Sequence, residues 1–212
     1  EFREYERFST TVVNAYLGPV IKNYLQRLKP RLAEIGVASP VHLTQSNGGI
    51  ISSESAQRFP ARTVLSGPAA GVMGTLAIAK TAGFDNLITF DMGGTSTDVS
   101  LIKDGTPSIS NVAIVHGHPL KLPMLDIHTV GAGGGSIAYV DAGGLLQVGP
   151  RSAAADPGPI CFERGNDDEP TVTDANVVLQ ILNPVALLNG RLPVNRAKAE
   201  AAIARLGERL GL

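Results

Sequence analysis

The sequence predicts a mixed α/β fold, a central mixed sheet with β-hairpins and flanking helices, and three observations carry that prediction. Apolar residues recur at three-to-four spacing through the first 35 positions, the middle holds short β-branched runs broken by glycine turns, and helical spacing returns near the end. The order helix, strand, helix, hairpins, helices lacks the regular βαβ alternation of a doubly wound sheet.

The first helix rests on Val12, Val13, Tyr16, Leu17, Val20, Ile21, Tyr24, Leu25, Leu28, Leu32 and Ile35, the spacing of one buried stripe. Gly18-Pro19 is expected to kink or split it. Gly36 takes the C′ position and Pro40 acts as a stop. Residues 41–45 read as a short strand before a turn at Asn47-Gly48-Gly49. Ser66-Gly67-Pro68 opens a small-residue helix over 69–82, with Pro68 where a missing N–H does no harm. Residues 86–90 form a strand that runs into Asp91-Met92-Gly93-Gly94-Thr95, and 97–102 return.

Asp104-Gly105 makes a tight hairpin turn into 107–115. After a Pro-rich stretch, 125–130 look extended and lead into Gly131-Ala132-Gly133-Gly134-Gly135-Ser136. A further hairpin pairs 137–141 with 145–148 around Gly143-Gly144. Residues 150–168 read as loop. Thr173 is expected to cap a helix over 174–182. Asn195 caps a last one with Ala199, Ala202, Ile203, Leu206 and Leu210 on one face.

Composition narrows the function classes. The 212 residues are 43% hydrophobic and 17% charged, which suits a globular chain with a real core. A formal net charge of −1 and the lack of a Lys/Arg block argue against nucleic acid as a partner. No apolar run reaches the roughly 18–20 residues that span a bilayer, so no membrane association is expected. Glu1-Phe2-Arg3-Glu4 is charged and lacks an initiator Met, so a piece of a longer protein is expected. The single cysteine, Cys161, excludes an intramolecular disulfide framework, fits a cytoplasmic setting and reads as a small core residue.

The chemistry-bearing stretch is 87–100. A buried strand ends in Asp91, turns on Gly93 and Gly94, and returns through Thr95, Thr97 and Asp98. Such a turn aims backbone N–H groups at one point, an anion nest suited to phosphate oxygens. The two glycines let the backbone approach a ligand, and the threonine hydroxyls add donors. Asp91 would repel phosphate unless a divalent cation lay between, so its expected role is as a Mg²⁺ ligand, directly or through water. Asp98 either orients metal-bound water or braces the turn. Gly133 and Gly134 are expected to face the nucleotide from the side opposite Asp91. Asp126 and His128, at i and i+2, can supply two of the ligands a transition metal such as Zn or Mn needs, the alternative being an ordinary surface or hydrogen-bonded histidine; His116 and His118 repeat the spacing, and there the ordinary reading is preferred.

The strand-turn-strand resembles the second phosphate loop of the sugar kinase/chaperone/actin superfamily, and Ser66-Gly67-Pro68-Ala69-Ala70-Gly71 resembles the connecting helix that precedes it. More narrowly, the chain resembles the hydantoinase A/oxoprolinase/acetone carboxylase β-subunit family from end to end. The resemblance rests on Glu4-Tyr5-Glu6-Arg7 with Thr10 to Tyr16, Gln45-Ser46-Asn47-Gly48-Gly49, the phosphate loop and Gly131 to Ala138. Val148-Gly149-Pro150, Asp156-Pro157-Gly158-Pro159 and Thr171 to Asn176 complete it. Ala154 and Gln180 depart from the pattern where this family more often has Gly, and Phe162 stands where Tyr is usual.

That resemblance implies a partial actin/ribonuclease H-like ATPase fold, with residues 1–212 as a hydantoinase A/oxoprolinase domain fragment carrying the second phosphate loop. The first phosphate loop and the adenine-holding turn fall outside it. It also implies an ATP- and Mg²⁺-dependent hydrolase acting on a small cyclic amide such as hydantoin or oxoproline, alongside a hydantoinase B-type subunit or domain. Phosphorylation of the amide oxygen would make the carbonyl a better electrophile for water. The alternatives are an ATP-dependent subunit of an acetone- or acetophenone-type carboxylase and a non-enzymatic actin-like binding module.

Overall fold

The computed structural model describes residues 2–115, 117–183 and 187–212, which form two compact units. The first holds Glu1–Thr89 and Val99–His128, the second Phe90–Asp98 and Thr129–Leu212.

The first unit opens on α1 (Glu4–Glu34), a single helix that contains both Pro19 and Pro30. The helix is not split at Gly18-Pro19. Gly18 has no Cβ to collide with the proline ring, and Ala15, whose carbonyl loses its N–H partner, faces solvent. The helix ends in a Schellman motif. Val37 N–H donates to Leu32 O at 2.9 Å, Gly36 N–H to Ala33 O at 3.0 Å, and Gly36 takes φ +82°. The periodicity is therefore right about the helix and wrong about its burial. Of the stripe, Leu25 alone is buried, while Tyr16 is 79% and Val20 61% exposed. Tyr5, Phe8, Val12 and Tyr16 line an open apolar groove of about 740 Å³ with Val64, Leu65 and Leu120.

Asn14 ties α1 to the next segment, accepting from Ala61 N–H at 3.2 Å and donating to Arg58 O at 3.2 Å. β1 (His42–Thr44) and β2 (Ile50–Ser52) form an antiparallel hairpin across the Asn47-Gly48-Gly49 turn. A Cβ on Gly48 would lie 2.7 Å from Met73 Cγ, and its φ is +81°. α2 (Ser53–Arg58), capped by Ser52, and a 3-10 turn at Pro60–Thr63 follow; neither has a periodic signal at this length. α3 (Ser66–Ala82) starts three residues before the expected point. Pro68 falls in its first turn, among the N–H groups that lack intrahelical partners anyway.

β3 (Leu87–Met92) and β4 (Thr97–Lys103) lie side by side in a sheet whose other neighbour of β4 is the later strand Ile127–Val130, with β5 (Thr106–Pro107) also added on β4. Thr89 and Ser100 bond across the strands, Ser100 N–H donating to Thr89 Oγ1 at 3.0 Å. The turn between β4 and β5 has positive φ at both Asp104 (51°) and Gly105 (68°), the geometry a tight hairpin demands.

The single strand expected over 107–115 is instead three short pieces, because each changes partner. β6 (Ile109–Ser110) pairs with β9 (Met124–Leu125), and β7 (Ala113–Val115) pairs with β8 (His118–Leu120). β10 (Ile127–Val130) closes the run. The core joins Ala69, Val72 and Leu76 of α3 to Ile102 and Leu125, with Met73, Leu87 and Ile127 against it.

In the second unit β11 (Ser136–Val140) and β12 (Leu146–Ser152) form an antiparallel hairpin with an irregularity after Ser136. Its turn is organised by Asp141, whose Oδ1 accepts from Gly143 and Leu145 N–H at 2.9 and 3.0 Å. α4 (Val172–Val178) is capped by Thr171, not Thr173. Thr171 and Asp174 form a reciprocal capping box, so the cap sits two residues earlier than expected. α5 (Arg196–Arg209) is capped by Asn195 as expected, with Oδ1 accepting from Lys198 N–H at 3.1 Å. Its Ala199, Ala202 and Leu206 are buried, and Ala199 packs with Val177 and Cys161.

Candidate functional site

The site is assembled inside the second unit from the turn at 91–98, the glycine run 131–136 and the loop 153–164. The turn closes on itself through Gly93 N–H to Ser96 O at 2.8 Å. The backbone N–H groups of Gly94 and Thr95 have no hydrogen-bond partner among the described residues. A Cβ on Gly94 would meet nothing within 4 Å, so the backbone faces open space there. These two adjacent N–H groups on an exposed turn are available to an anionic ligand.

The glycine run lies directly against this turn. Gly134 N–H donates to Gly93 O at 2.9 Å and Gly135 N–H to Gly94 O at 2.6 Å. A Cβ on Gly133 would stand 2.7 Å from Thr95 C and 2.8 Å from both Gly93 O and Gly94 C, closer than any side chain tolerates. On Gly134 it would stand 2.8 Å from Thr173 Oγ1. The N–H groups of Gly133 and Gly134 are engaged within the protein, the former with Ser136 Oγ at 2.9 Å. Both glycines thus act on the turn by letting one backbone lie against another.

Thr97, 1% exposed, donates its hydroxyl to Ala132 O at 2.5 Å, and Thr129 Oγ1 donates to Asp98 Oδ1 at 2.6 Å. The latter bond ties Asp98, at the start of β4, to β10. Asp91 is exposed, with no hydrogen bond or ion pair to its carboxylate among the described residues. An unpaired carboxylate three residues before these donors is the kind of ligand Mg²⁺ takes, together with water and phosphate oxygens.

Asp126 and His128 belong to the first unit, where both are exposed. Ser100 Oγ donates to the carbonyl of Asp126 at 2.8 Å. No group of three or more His, Cys, Asp or Glu able to hold a metal forms among the described residues. The pair therefore offers at most two of the ligands a transition metal requires. His116 lies outside the described residues, and His118 is exposed in β8.

Beside the turn is a cavity of about 350 Å³, lined by Gly94, Thr95, Gly135, Ala154, Arg164 and Thr173, with Ala155, Pro159 and Phe162 completing its wall. Two residues of its wall, and the buried acid behind them, escape a sequence reading. Arg164 is one exposed arginine in a loop, with no pattern to single it out; it follows Glu163, which takes a left-handed φ of 55°. Thr173 reads as a helix cap. Asp174 reads as part of a helix start, although the Thr171-x-x-Asp174 spacing is a legible capping-box signal.

Asp174 is fully buried and holds the loop. Its carboxylate accepts from Ile160 N–H at 3.2 Å, Cys161 N–H at 2.8 Å, and both the N–H and the hydroxyl of Thr171 at 2.8 Å. Burial, reinforced by the negative charge of Asp174, pushes the Cys161 thiol up to about 12, so Cys161 is a core residue and no nucleophile at neutral pH. The Lys198 and Asn195 side chains bonded to Glu163 hold its carboxyl below the ordinary value.

Ala154 and Gln180, the two departures from glycine, both have positive φ, 52° and 61°. A left-handed L-residue is strained, whereas glycine adopts this geometry freely at some cost in chain entropy. Ala154→Gly and Gln180→Gly are each expected to raise stability by about 0.5–1 kcal/mol. Urea midpoints of the two single variants check this, and a fall in either midpoint would contradict it.

The chain has clear likenesses among known proteins. A family model described as Hydantoinase/oxoprolinase matches residues 7–212. Caprolactamase subunit alpha of Pseudomonas jessenii is 45% identical over 213 residues, covering 100% of this chain and 30% of its own length. The crystal structure of the ATP-dependent caprolactamase from that organism superposes with a TM-score of 0.78 at 43% identity, over 100% of this chain and 31% of that one. The nucleotide-free structure of acetone carboxylase gives 0.82 at 31% identity, over 100% and 30%. The 5-oxoprolinase of Saccharomyces cerevisiae is 42% identical over 181 residues, 84% of this chain and 14% of its own length. The chain thus spans less than a third of each of these relatives.

Proposed function

Since the chain belongs to the hydantoinase/oxoprolinase family, we propose that it forms part of an ATP-dependent hydrolase that opens a small cyclic amide. In this reading residues 1–212 are a fragment of an actin-like ATPase domain and carry its second phosphate loop. The observation that carries it is the close seating of the 131–136 glycine run on the 93–95 turn, which leaves Gly94 and Thr95 N–H free beside an unpaired Asp91. Backbone donors fixed in advance suit phosphoryl transfer, where catalysis is mostly positioning and charge neutralisation.

ATP with Mg²⁺ would supply the activating phosphoryl group that an unstrained amide needs before water attacks it. Within this chain, Gly94 and Thr95 would donate N–H groups to phosphate oxygens, and Asp91 would hold the cation. Thr97, Asp98, Gly133 and Gly134 would keep the turn in shape. The rest of the cleft and the amide pocket would come from outside these residues, including a hydantoinase B-type subunit or domain. That the similar caprolactamase protein is itself a subunit, alpha, supports a partner.

A second reading, an ATP-dependent carboxylase subunit, is favoured by the fold likeness to acetone carboxylase. Phosphate release from MgATP by the intact protein with its partner subunit separates the two. The hydrolase predicts release stimulated by oxoproline, hydantoin or a lactam without bicarbonate, and an absolute bicarbonate requirement would reject it. Asp91→Asn is expected to raise the half-saturating Mg²⁺ concentration about tenfold. An unchanged Mg²⁺ dependence would remove Asp91 from the site.

A further inference from the structure

The cavity beside the 93–95 turn has a chemical character of its own. Its lining contains no acidic side chain, one cation, Arg164, and two hydroxyls, from Thr95 and Thr173. Several neighbouring charges are already paired, although exposed Asp156 is not. Glu163 binds Lys198 Nζ at 3.1 Å, Arg151 pairs with Glu169, and Asp174 is occupied by three N–H groups and a hydroxyl. The Arg164 guanidinium has no ion pair or hydrogen bond among the described residues, and Thr173 Oγ1 has no hydrogen-bond partner there either. Arg164 is thus the one cation in the cavity's lining, and the protein gives it no partner among the described residues.

We propose that this cavity is an oxyanion pocket that receives a phosphoryl group, with Arg164 as its cation and Thr95, Thr173 and the free N–H of Gly94 as its neutral donors. The proposal rests on the phosphate-loop reading and extends it to a residue 69 positions beyond the turn. A guanidinium matches phosphate oxygens in pairs and keeps its charge at all accessible pH values. At about 350 Å³ the cavity is at the small end of ligand sites, sized for a phosphoryl group with part of what carries it, not for a whole nucleotide.

Its geometry is set from two directions. Asp174 holds the backbone of Ile160 and Cys161 on one side and Thr171 on the other, so one buried carboxylate places both the Arg164 loop and Thr173. Glu163, bonded to Asn195 and Lys198, anchors the residue just before the arginine to α5. Asp174 and Glu163 are positioning residues, and Arg164 is the ligand contact.

The test is calorimetric titration of the intact protein with inorganic phosphate, with acetate, and separately with MgADP. Arg164→Gln is expected to weaken inorganic phosphate at least tenfold, Arg164→Lys to recover part of that loss, and Thr173→Val to weaken it about threefold. MgADP affinity is expected to stay within twofold in all three, since the turn itself is untouched. Unchanged melting temperatures would show that the variants fold, as expected for an exposed side chain without partners. Phosphate affinity within twofold of wild type in Arg164→Gln overturns the proposal, as does a wild type that does not bind phosphate. Acetate binding as tightly as phosphate overturns the phosphoryl assignment and points to a carboxylate. Arg164-dependent phosphate binding without any MgADP binding supports the pocket while the nucleotide reading fails.

Discussion

Replacing Gly133 by alanine is expected to lower stability by about 3 kcal/mol, roughly a hundredfold in the folded-to-unfolded ratio. The added Cβ would stand 2.7 Å from Thr95 C and 2.8 Å from Gly93 O and Gly94 C. All three are backbone atoms, which cannot swing aside as a flexible side chain does. Relief requires the two loops to part, which stretches the Gly134-to-Gly93 and Gly135-to-Gly94 hydrogen bonds, each worth about 1 kcal/mol. Gly94→Ala is the matched control, since its Cβ meets nothing within 4 Å and its fold should be unaffected to within about 0.5 kcal/mol. Urea denaturation of both variants is the measurement. If Gly133→Ala costs no more than Gly94→Ala, the two loops do not pack as described.

The second large effect is expected at Asp174. Asp174→Ala removes the acceptor for the N–H groups of Ile160, Cys161 and Thr171 and for the Thr171 hydroxyl, all in a fully buried setting. Hydrogen bonds to a charged group contribute about 1.5–3 kcal/mol each, and orphaned buried donors keep their full desolvation penalty. These losses do not add fully because neighbouring contacts are coupled, so about 4 kcal/mol is expected. Asp174→Asn retains the shape but turns an NH₂ group toward groups that also donate, so it should recover less than half of that loss. Hydrogen exchange at Ile160, Cys161 and Thr171 localises the effect. Amide protection at those three positions that survives Asp174→Ala would refute the anchoring role.

The two variants separate two kinds of legibility. A strand ending in Asp91, turning on Gly93 and Gly94, and returning through Thr97 was readable because the pattern is local; each residue's type suits its place within a dozen positions. The Asn195 cap, the Gly36 terminus and the Asp104-Gly105 turn were readable for the same reason. What was not readable is what touches the turn from far along the chain. Nothing near Gly133 announces that its missing side chain makes room for the backbone of Gly94, and nothing near Arg164 announces that it lines the same cavity as Thr95.

Helix α1 shows a limit of another kind. Its apolar spacing correctly demanded a helix, but periodicity reports only that one face avoids water, not what covers it. In these residues Tyr16 and Val20 of that face stay exposed. The 107–115 stretch failed for a related reason: β-branched residues favour extended backbone, while strand partners are chosen by tertiary contacts that split the run into short pairs.

By itself, then, the sequence determined the mixed α/β class, the main helices, the strand-turn-strand with its acid and glycines, and a family likeness that the comparisons uphold. These depend on backbone conformational preference and on spacing, which act over a few residues. Only the tertiary structure decided that the 131–136 run seats on the 93–95 turn, that Asp174 fastens two segments, and that Arg164 is left unpaired beside a cavity. Those outcomes depend on the distances between atoms far apart in the chain, and packing sets such distances only once the whole backbone has closed around them.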